Sequence, residues 1–267
     1  MAGTVLITGA SSGIGAATAS RLAVAGYQVF GTSRKCPTSG EGQSGIRSIP
    51  MDVCIEASVQ AAVEDVIRRA GGIDALVCNA GMGIFGSVEE TPIDAARAQM
   101  DTNYLGTLRV LRAVLPHMRE RGQGRIVLVG SLAGRAPIPF QAHYSASKAA
   151  LDATVLALHN ELHGTGVRVS LVEPGDIDTP FNDATDFESA AESSYAERIR
   201  TCRRVIEETL PRSPGPEIVA ATIHRALRAR RPRIRYTVGP DSWLVPIGRR
   251  LLPDRLLLRL IRSHFQL

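Results

Sequence analysis

Lysine is almost missing from this chain of 267 residues: of 31 basic residues, two are lysine, Lys35 and Lys148, and the rest are arginine. Cysteine is also sparse. The four cysteines (Cys36, Cys54, Cys78, Cys202) form no Cys-x-x-Cys pair, which excludes a cystine scaffold and suits reduced thiols in a cytoplasmic protein. No apolar run is long enough to span a bilayer, and a first strand expected near residue 4 leaves no room for a signal peptide. There is no internal repeat, low-complexity tract or composition break, so the length suits one α/β domain. One further absence is local. No Asp or Glu occurs between Gly15 and Glu41.

What is present begins with the second lysine. Lys148 stands four residues after Tyr144, in His143-Tyr144-Ser145-Ala146-Ser147-Lys148. On a helix that spacing puts both side chains on one face, about one turn apart. A compact ammonium there favours the phenolate, so the spacing predicts a lowered Tyr144 pKa and a proton donor and acceptor near neutral pH.

The second element is at the other end of the chain. The β-branched run Thr4 to Thr8 reads as a buried strand, and it enters Gly9-Ala10-Ser11-Ser12-Gly13-Ile14-Gly15 and then a helix. A glycine-rich turn between strand and helix brings the backbone close to a pyrophosphate, and the helix N-terminus offers it unpaired N–H groups. The Gly-x-x-x-Gly-x-Gly spacing lacks the Gly-Lys-Ser/Thr ending of a triphosphatase loop.

Strands are expected near 4–8, 27–33, 46–51, 75–78, 125–129, 168–173 and 233–238. Helices are expected near 13–25, 56–70, 92–119 (broken near Asp101), 143–163 and 216–229. Such alternation implies a Rossmann-type doubly wound parallel sheet with helices on both faces and ligands at the carboxyl ends of the strands. The expected layout is a dinucleotide-binding domain over 1–240 and a C-terminal helical extension over 241–267.

Cofactor choice follows from the missing acid. A carboxylate about 20 residues past the glycine turn holds the 2′-hydroxyl of NAD. Here the second strand ends instead in Ser33-Arg34-Lys35, and a guanidinium there suits a 2′-phosphate. NADPH is therefore expected rather than NAD(H), with Arg34 as the main contact and Ser33 assisting.

These motifs together resemble the short-chain dehydrogenase/reductase family over about residues 3 to 240. Asn79-Ala80-Gly81, Asn103, Ser131 and Pro174-Gly175-Asp176-Ile177-Asp178-Thr179 match its further marks in order. Cys78 is a small departure, where many members carry a second asparagine. The resemblance implies that the 1–240 domain is also catalytic, with a substrate lid at about 179–214. It implies catalytic Asn103, Ser131, Tyr144 and Lys148. A nicotinamide hydride goes to a carbonyl carbon while Tyr144 gives its proton to the oxygen and Ser131 donates a hydrogen bond to it. Lys148 lowers the tyrosine pKa and holds the nicotinamide ribose, and Asn103 anchors a water. Further cofactor contacts are implied for Ser11, Ser12, Gly13, Ile14, Gly15, Asp52, Val53, Asn79, Ala80, Gly81, Pro174, Gly175, Ile177 and Thr179. For Asp52 a helix N-cap is the alternative.

Candidate pocket walls are Met82, Gly83, Ile84, Ala133, Ile138, Phe140, Pro180 and Phe181, with Ser131, Phe140, Tyr144 and Phe181 as substrate contacts. Their apolar character points to a lipophilic ketone or alcohol, and the chain looks most like the hydroxysteroid and retinol dehydrogenase branch. A non-catalytic NADP(H)-binding redox sensor is the alternative function. The resemblance also implies a homodimer or homotetramer through the helices near 92–119 and 143–163. His159 and His163 flank a glutamate on a helix but lack the His-Glu-x-x-His order of a zinc site, so no metal is expected. Eleven arginines face two acids between Arg225 and Arg262. Over 253–265, Arg255, Arg259 and Arg262 line up at i, i+4 and i+7, opposite Leu256, Leu257, Leu260, Ile261 and Phe265. That is a basic amphipathic helix, suited either to covering the pocket or an interface or to lying on an anionic membrane. It accounts for most of the net charge of +5, and no motif for nucleic acid appears.

Overall fold

A computed structural model describes residues 3–35, 45–180, 193–239 and 242–267. Strands β1 (Thr4–Thr8), β2 (Gln28–Ser33), β3 (Ile46–Pro50), β4 (Ala75–Cys78), β5 (Gly124–Val129), β6 (Val167–Pro174) and β7 (Arg235–Val238) form one sheet in the order β3-β2-β1-β4-β5-β6-β7. Every pairing is parallel. The fold is therefore an α/β Rossmann-like sandwich, as the alternation predicts.

Side chains alternate across the sheet. Leu6, Phe30, Leu76, Ile126 and Leu128 point to a core shared with α2 (Glu56–Ala70), α4 (Gly106–Glu120) and α5 (Ala142–Glu161). Val5, Ile7, Val29, Val77 and Val127 point the other way, to α1 (Gly13–Val24) and α7 (Glu217–Arg228). Burial on both faces explains why these strands read as continuous apolar runs. Strand order reverses between β1 and β4, and that switch point opens a crevice at the carboxyl edge.

The expected break near Asp101 is instead a widening. Between α3 (Ile93–Met100) and α4 the helix continues through a π-helical turn, Asp101–Leu105. Beyond the sheet, α6 (Ala196–Thr209), α8 (Leu244–Leu251) and α9 (Asp254–His264) complete the described chain. The helical extension expected over 241–267 is thus two helices, of which the sequence reading placed only α9 by residue. Pro246 lies in the first turn of α8, where the lost N–H costs nothing.

Candidate active site

The cleft at the switch point has a volume of about 440 Å³. One end is the glycine turn. Gly9 has φ +65°, and a Cβ there would stand 2.9 Å from the Ala80 Cα, so the two loops meet only because this residue is glycine. A Cβ on Gly15 would overlap the Gly9 carbonyl oxygen, so Gly15 closes the turn from beneath and does not line the cleft. The Asn79 amide donates to the carbonyls of Thr8 (3.1 Å) and Gly9 (2.9 Å), while Thr8 Oγ1 accepts from the backbone N–H groups of Asn79 and Ala80. The strand ends of β1 and β4 are thereby laced together. Ser11, Ser12, Gly13 and Ile14 line the opening, and Ser12, at the N-cap of α1, makes no side-chain bond to its helix. Unpaired helix N–H groups beside a glycine cradle fit a pyrophosphate.

At the outer rim Thr32, Ser33 and Arg34 follow from β2 and line the same cleft. Arg34 is exposed and has no carboxylate partner among the described residues; Ser33 Oγ donates to the Lys35 carbonyl (3.0 Å). Asp52 and Val53 line the cleft after β3. Asp52 is not a helix cap, because Ile55 holds that position and the Asp52 carboxylate accepts from Cys54 N–H (2.9 Å) in the preceding turn.

The third group lies between β5 and α5. Ser131 leaves β5 in extended backbone, its Oγ accepting from Ala133 N–H (3.1 Å) and hydrogen-bonded to the Tyr144 hydroxyl. Lys148 Nζ lies 5.6 Å from the Tyr144 ring centroid and donates to the Val129 carbonyl (2.9 Å). Residues 131, 144 and 148 therefore share one neighbourhood and line one cleft.

Their electrostatics correct the sequence reading. Desolvation pushes the Tyr144 phenol up to about 12, only partly opposed by the Ser131 hydrogen bond. Burial pulls Lys148 down to about 8. Helical spacing brings the two together, but the ammonium donates to the Val129 carbonyl, and removal from water dominates the phenol. In the free protein Tyr144 is a neutral phenol.

Lys148 also destabilises the fold. It loses its proton near 8 when folded and at the ordinary 10.5 when unfolded. The unfolded chain thus binds more protons between these values, and stability rises with pH through that window. The desolvation costs about 3 kcal/mol below pH 8. Lys148→Met should gain about 2 kcal/mol at pH 7, after about 1 kcal/mol for the unpaired Val129 carbonyl. Urea unfolding should show that advantage shrinking toward pH 9.5, while turnover is lost.

Asn103 is fully buried in the π-helical turn and does not line the cleft. Its amide bonds both Met82 N–H (2.8 Å) and Met82 carbonyl (2.9 Å) and donates to Ser147 Oγ (3.0 Å), tying the loop after β4 to α5. Pro174, Gly175, Ile177 and Thr179 line the cleft after β6, and Gly81 borders Lys148.

Sequence reasoning missed the pair that braces these loops. Arg135, just past the Ser131 turn, forms a two-pronged ion pair with Glu173 at the end of β6, both contacts 2.6 Å. Glu173 is 1 % exposed, and burial raises its pKa against the pull of Arg135. The link joins the serine loop to the Pro174–Thr179 loop.

The far end of the cleft is apolar. Met82, Ile138 and Pro180 line it as expected, joined by Val205, Ile206 and Leu210 of the α6 region and by His264 and Phe265. None of the last five is among the expected walls by number, but Val205, Ile206 and Leu210 fall in the lid expected over 179–214, and Phe265 lies on the helix offered as a pocket cover. Gly83, Ile84, Ala133 and Phe140 do not line it. Phe140 has left-handed backbone (φ 62°), which turns its ring between Phe85 and Tyr195, at 6.3 and 6.1 Å. Phe181 lies outside the described residues. Of the amphipathic C-terminal face, Leu257, Ile261 and Phe265 turn inward, while Leu256 and Leu260 are exposed. His159 and His163 are exposed at the end of α5. No helix among the described residues is long and apolar enough to cross a membrane.

A Rossmann-like sheet with this cleft defines a dinucleotide-dependent oxidoreductase. The short chain dehydrogenase family model matches residues 3–189, and the chain belongs to the short-chain dehydrogenase/reductase family, NAD(P)-dependent oxidoreductases acting on CH–OH groups. It is 36% identical over 264 residues to a 3-ketodihydrosphingosine reductase of Bacteroides thetaiotaomicron, covering 98% of this chain and 97% of that one. It is 36% identical over 256 residues to human 17-beta-hydroxysteroid dehydrogenase type 1, covering 87% and 76%. A crystal structure of a short-chain dehydrogenase from Streptomyces avermitilis superposes with TM-score 0.81 at 31% identity, covering 100% of this chain and 96% of that one.

Proposed function

We propose that the protein is an NADPH-dependent reductase that interconverts a ketone or aldehyde with an alcohol on a lipophilic, steroid-, retinoid- or lipid-like substrate. The observation that carries this reading is one cleft whose glycine cradle, Ser131–Tyr144–Lys148 group and apolar end follow one another. Relatives named for a ketodihydrosphingosine and a hydroxysteroid support the substrate class.

The cradle and the Pro174–Thr179 loop would hold the dinucleotide, which when bound supplies the hydride. The chain's own groups manage the oxygen. Ser131 donates a hydrogen bond to the carbonyl oxygen, stabilising charge that grows in the transition state. Tyr144, a neutral phenol, passes its proton to that oxygen. Lys148, held by the Val129 carbonyl, offers a charged donor beside the phenol. Asn103 acts through Met82 and Ser147, fixing the loop after β4 to the helix that carries Lys148.

The test is loss of reduced-nicotinamide absorbance with a panel of steroids, retinoids and long-chain ketones. Turnover of sugars or small polar ketones alone would refute the substrate class. Cofactor preference rests on Arg34. Arg34→Ala should raise KM for NADPH about 10- to 100-fold, the worth of a charged hydrogen bond, and leave KM for NADH unchanged. Equal effects on both cofactors would reject the assignment.

A further inference from the structure

We propose that α8 and α9 form a docking face for an anionic lipid bilayer, beside the mouth of the cleft. The residues at that face are apolar where water should favour polar ones. Trp243, Leu244, Ile247 and Leu251 fall at i, i+1, i+4 and i+8 on one side of α8, with Trp243 57% and Leu251 72% exposed. Leu256 and Leu260, one turn apart, are likewise exposed on α9. The inward side of α9 is already used: Leu257 and Phe265 are buried, and Gln266 accepts from Arg204 of α6 (3.0 Å). The exposed leucines are therefore surplus to pocket covering.

Charge selects the occupant. Arg249 pairs with Asp254, but Arg250, Arg255, Arg259 and Arg262 are exposed with no carboxylate partner among the described residues. A second copy on this face would bring the same arginines against them. A neutral apolar partner would leave them unpaired. An anionic bilayer accepts the leucines and tryptophan at its acyl boundary and pairs the guanidinium groups with phosphates. The last turn of α9 leads to His264 and Phe265, which line the cleft. If the substrate is lipophilic, as proposed above, it would then enter from the lipid side; the docking itself does not depend on that reading.

Trp243 is the single tryptophan, so its fluorescence reports this face alone. The full chain is titrated with vesicles of phosphatidylcholine and phosphatidylglycerol, with phosphatidylcholine alone, and in high salt, with co-flotation as a second readout. The expected result is a blue shift and flotation with anionic vesicles, weak with neutral ones and reversed by salt. An arginine near an anionic surface contributes about fivefold in binding, so R250E/R255E/R259E should weaken it on the order of a hundredfold. I247E/L251E should lose binding while keeping the circular dichroism spectrum and thermal unfolding midpoint of the unaltered chain, which shows that it is folded. The proposal is overturned by no shift with anionic vesicles, by equal binding to neutral ones, or by I247E/L251E binding undiminished. A blue shift that grows with protein concentration without lipid also overturns it and assigns the face to a second copy. None of these outcomes depends on the substrate proposed above.

Discussion

Tyr144→Phe lowers kcat for ketone reduction by about 10²- to 10⁴-fold, the range for losing a positioned proton donor, with little change in KM. The substitution keeps the ring over which Lys148 lies and removes only the hydroxyl bonded to Ser131. The pH dependence is as informative as the rate. A profile of kcat/KM reports groups of the free enzyme. With Tyr144 pushed up to about 12, the phenol stays protonated and able to donate at every practical pH. Reduction should therefore show no tyrosine limb below that value. A fall near pH 8 would belong to Lys148, pulled down to about 8, and should vanish in Lys148→Met relative to its own low baseline. Alcohol oxidation needs the phenolate and should rise about tenfold per pH unit without a plateau below pH 10. A reduction limb near neutrality that persists in Lys148→Met would contradict this assignment, and undiminished turnover in Tyr144→Phe would contradict the mechanism.

Arg135→Ala destabilises the protein by about 3–5 kcal/mol, because it strands a buried carboxylate. Glu173 is 1 % exposed and both of its oxygens receive Arg135 at 2.6 Å. The neighbouring Arg235 is already engaged by Asp152, with contacts of 2.7 and 2.9 Å, so it is not free to substitute. Because the charge and not the packing is at fault, the double variant R135M/E173M should recover most of the loss. Acid offers a second check. Burial raises the Glu173 pKa above the ordinary carboxylate value, so its protonation relieves the stranded charge and the deficit of Arg135→Ala should narrow as pH falls. Urea midpoints at pH 5 and 7.5 measure this. A cost under about 1 kcal/mol would show the pair to be weakly coupled to the fold.

How much of this was legible beforehand depends on range. The sheet could be read because its central strands β1, β4, β5 and β6 announce themselves locally, each by a largely apolar run that ends at a glycine or an asparagine. Tyr144 and Lys148 could be paired because a helix fixes what four residues apart means. The protonation state of Tyr144 could not, because it depends first on how deeply elements distant in sequence bury the phenol. The Arg135–Glu173 brace was invisible for the same reason: 38 residues separate its partners. The apolar end of the cleft comes from α6 and the end of α9, where no short motif marks a residue as facing a ligand. The amphipathic tail showed two faces, but only packing decides which leucines turn inward.

The widened turn at Asp101–Leu105 makes this stretch unusually sensitive to chain length. Elsewhere a helix absorbs a change of side chain more easily than a change of register, and here register is what delivers an amide to Met82. Deleting a single residue from that turn would wind it back to ordinary pitch and swing position 103 by about 100°. Homologous chains that differ in length should therefore differ in their loops and agree in the count of residues between α3 and α4.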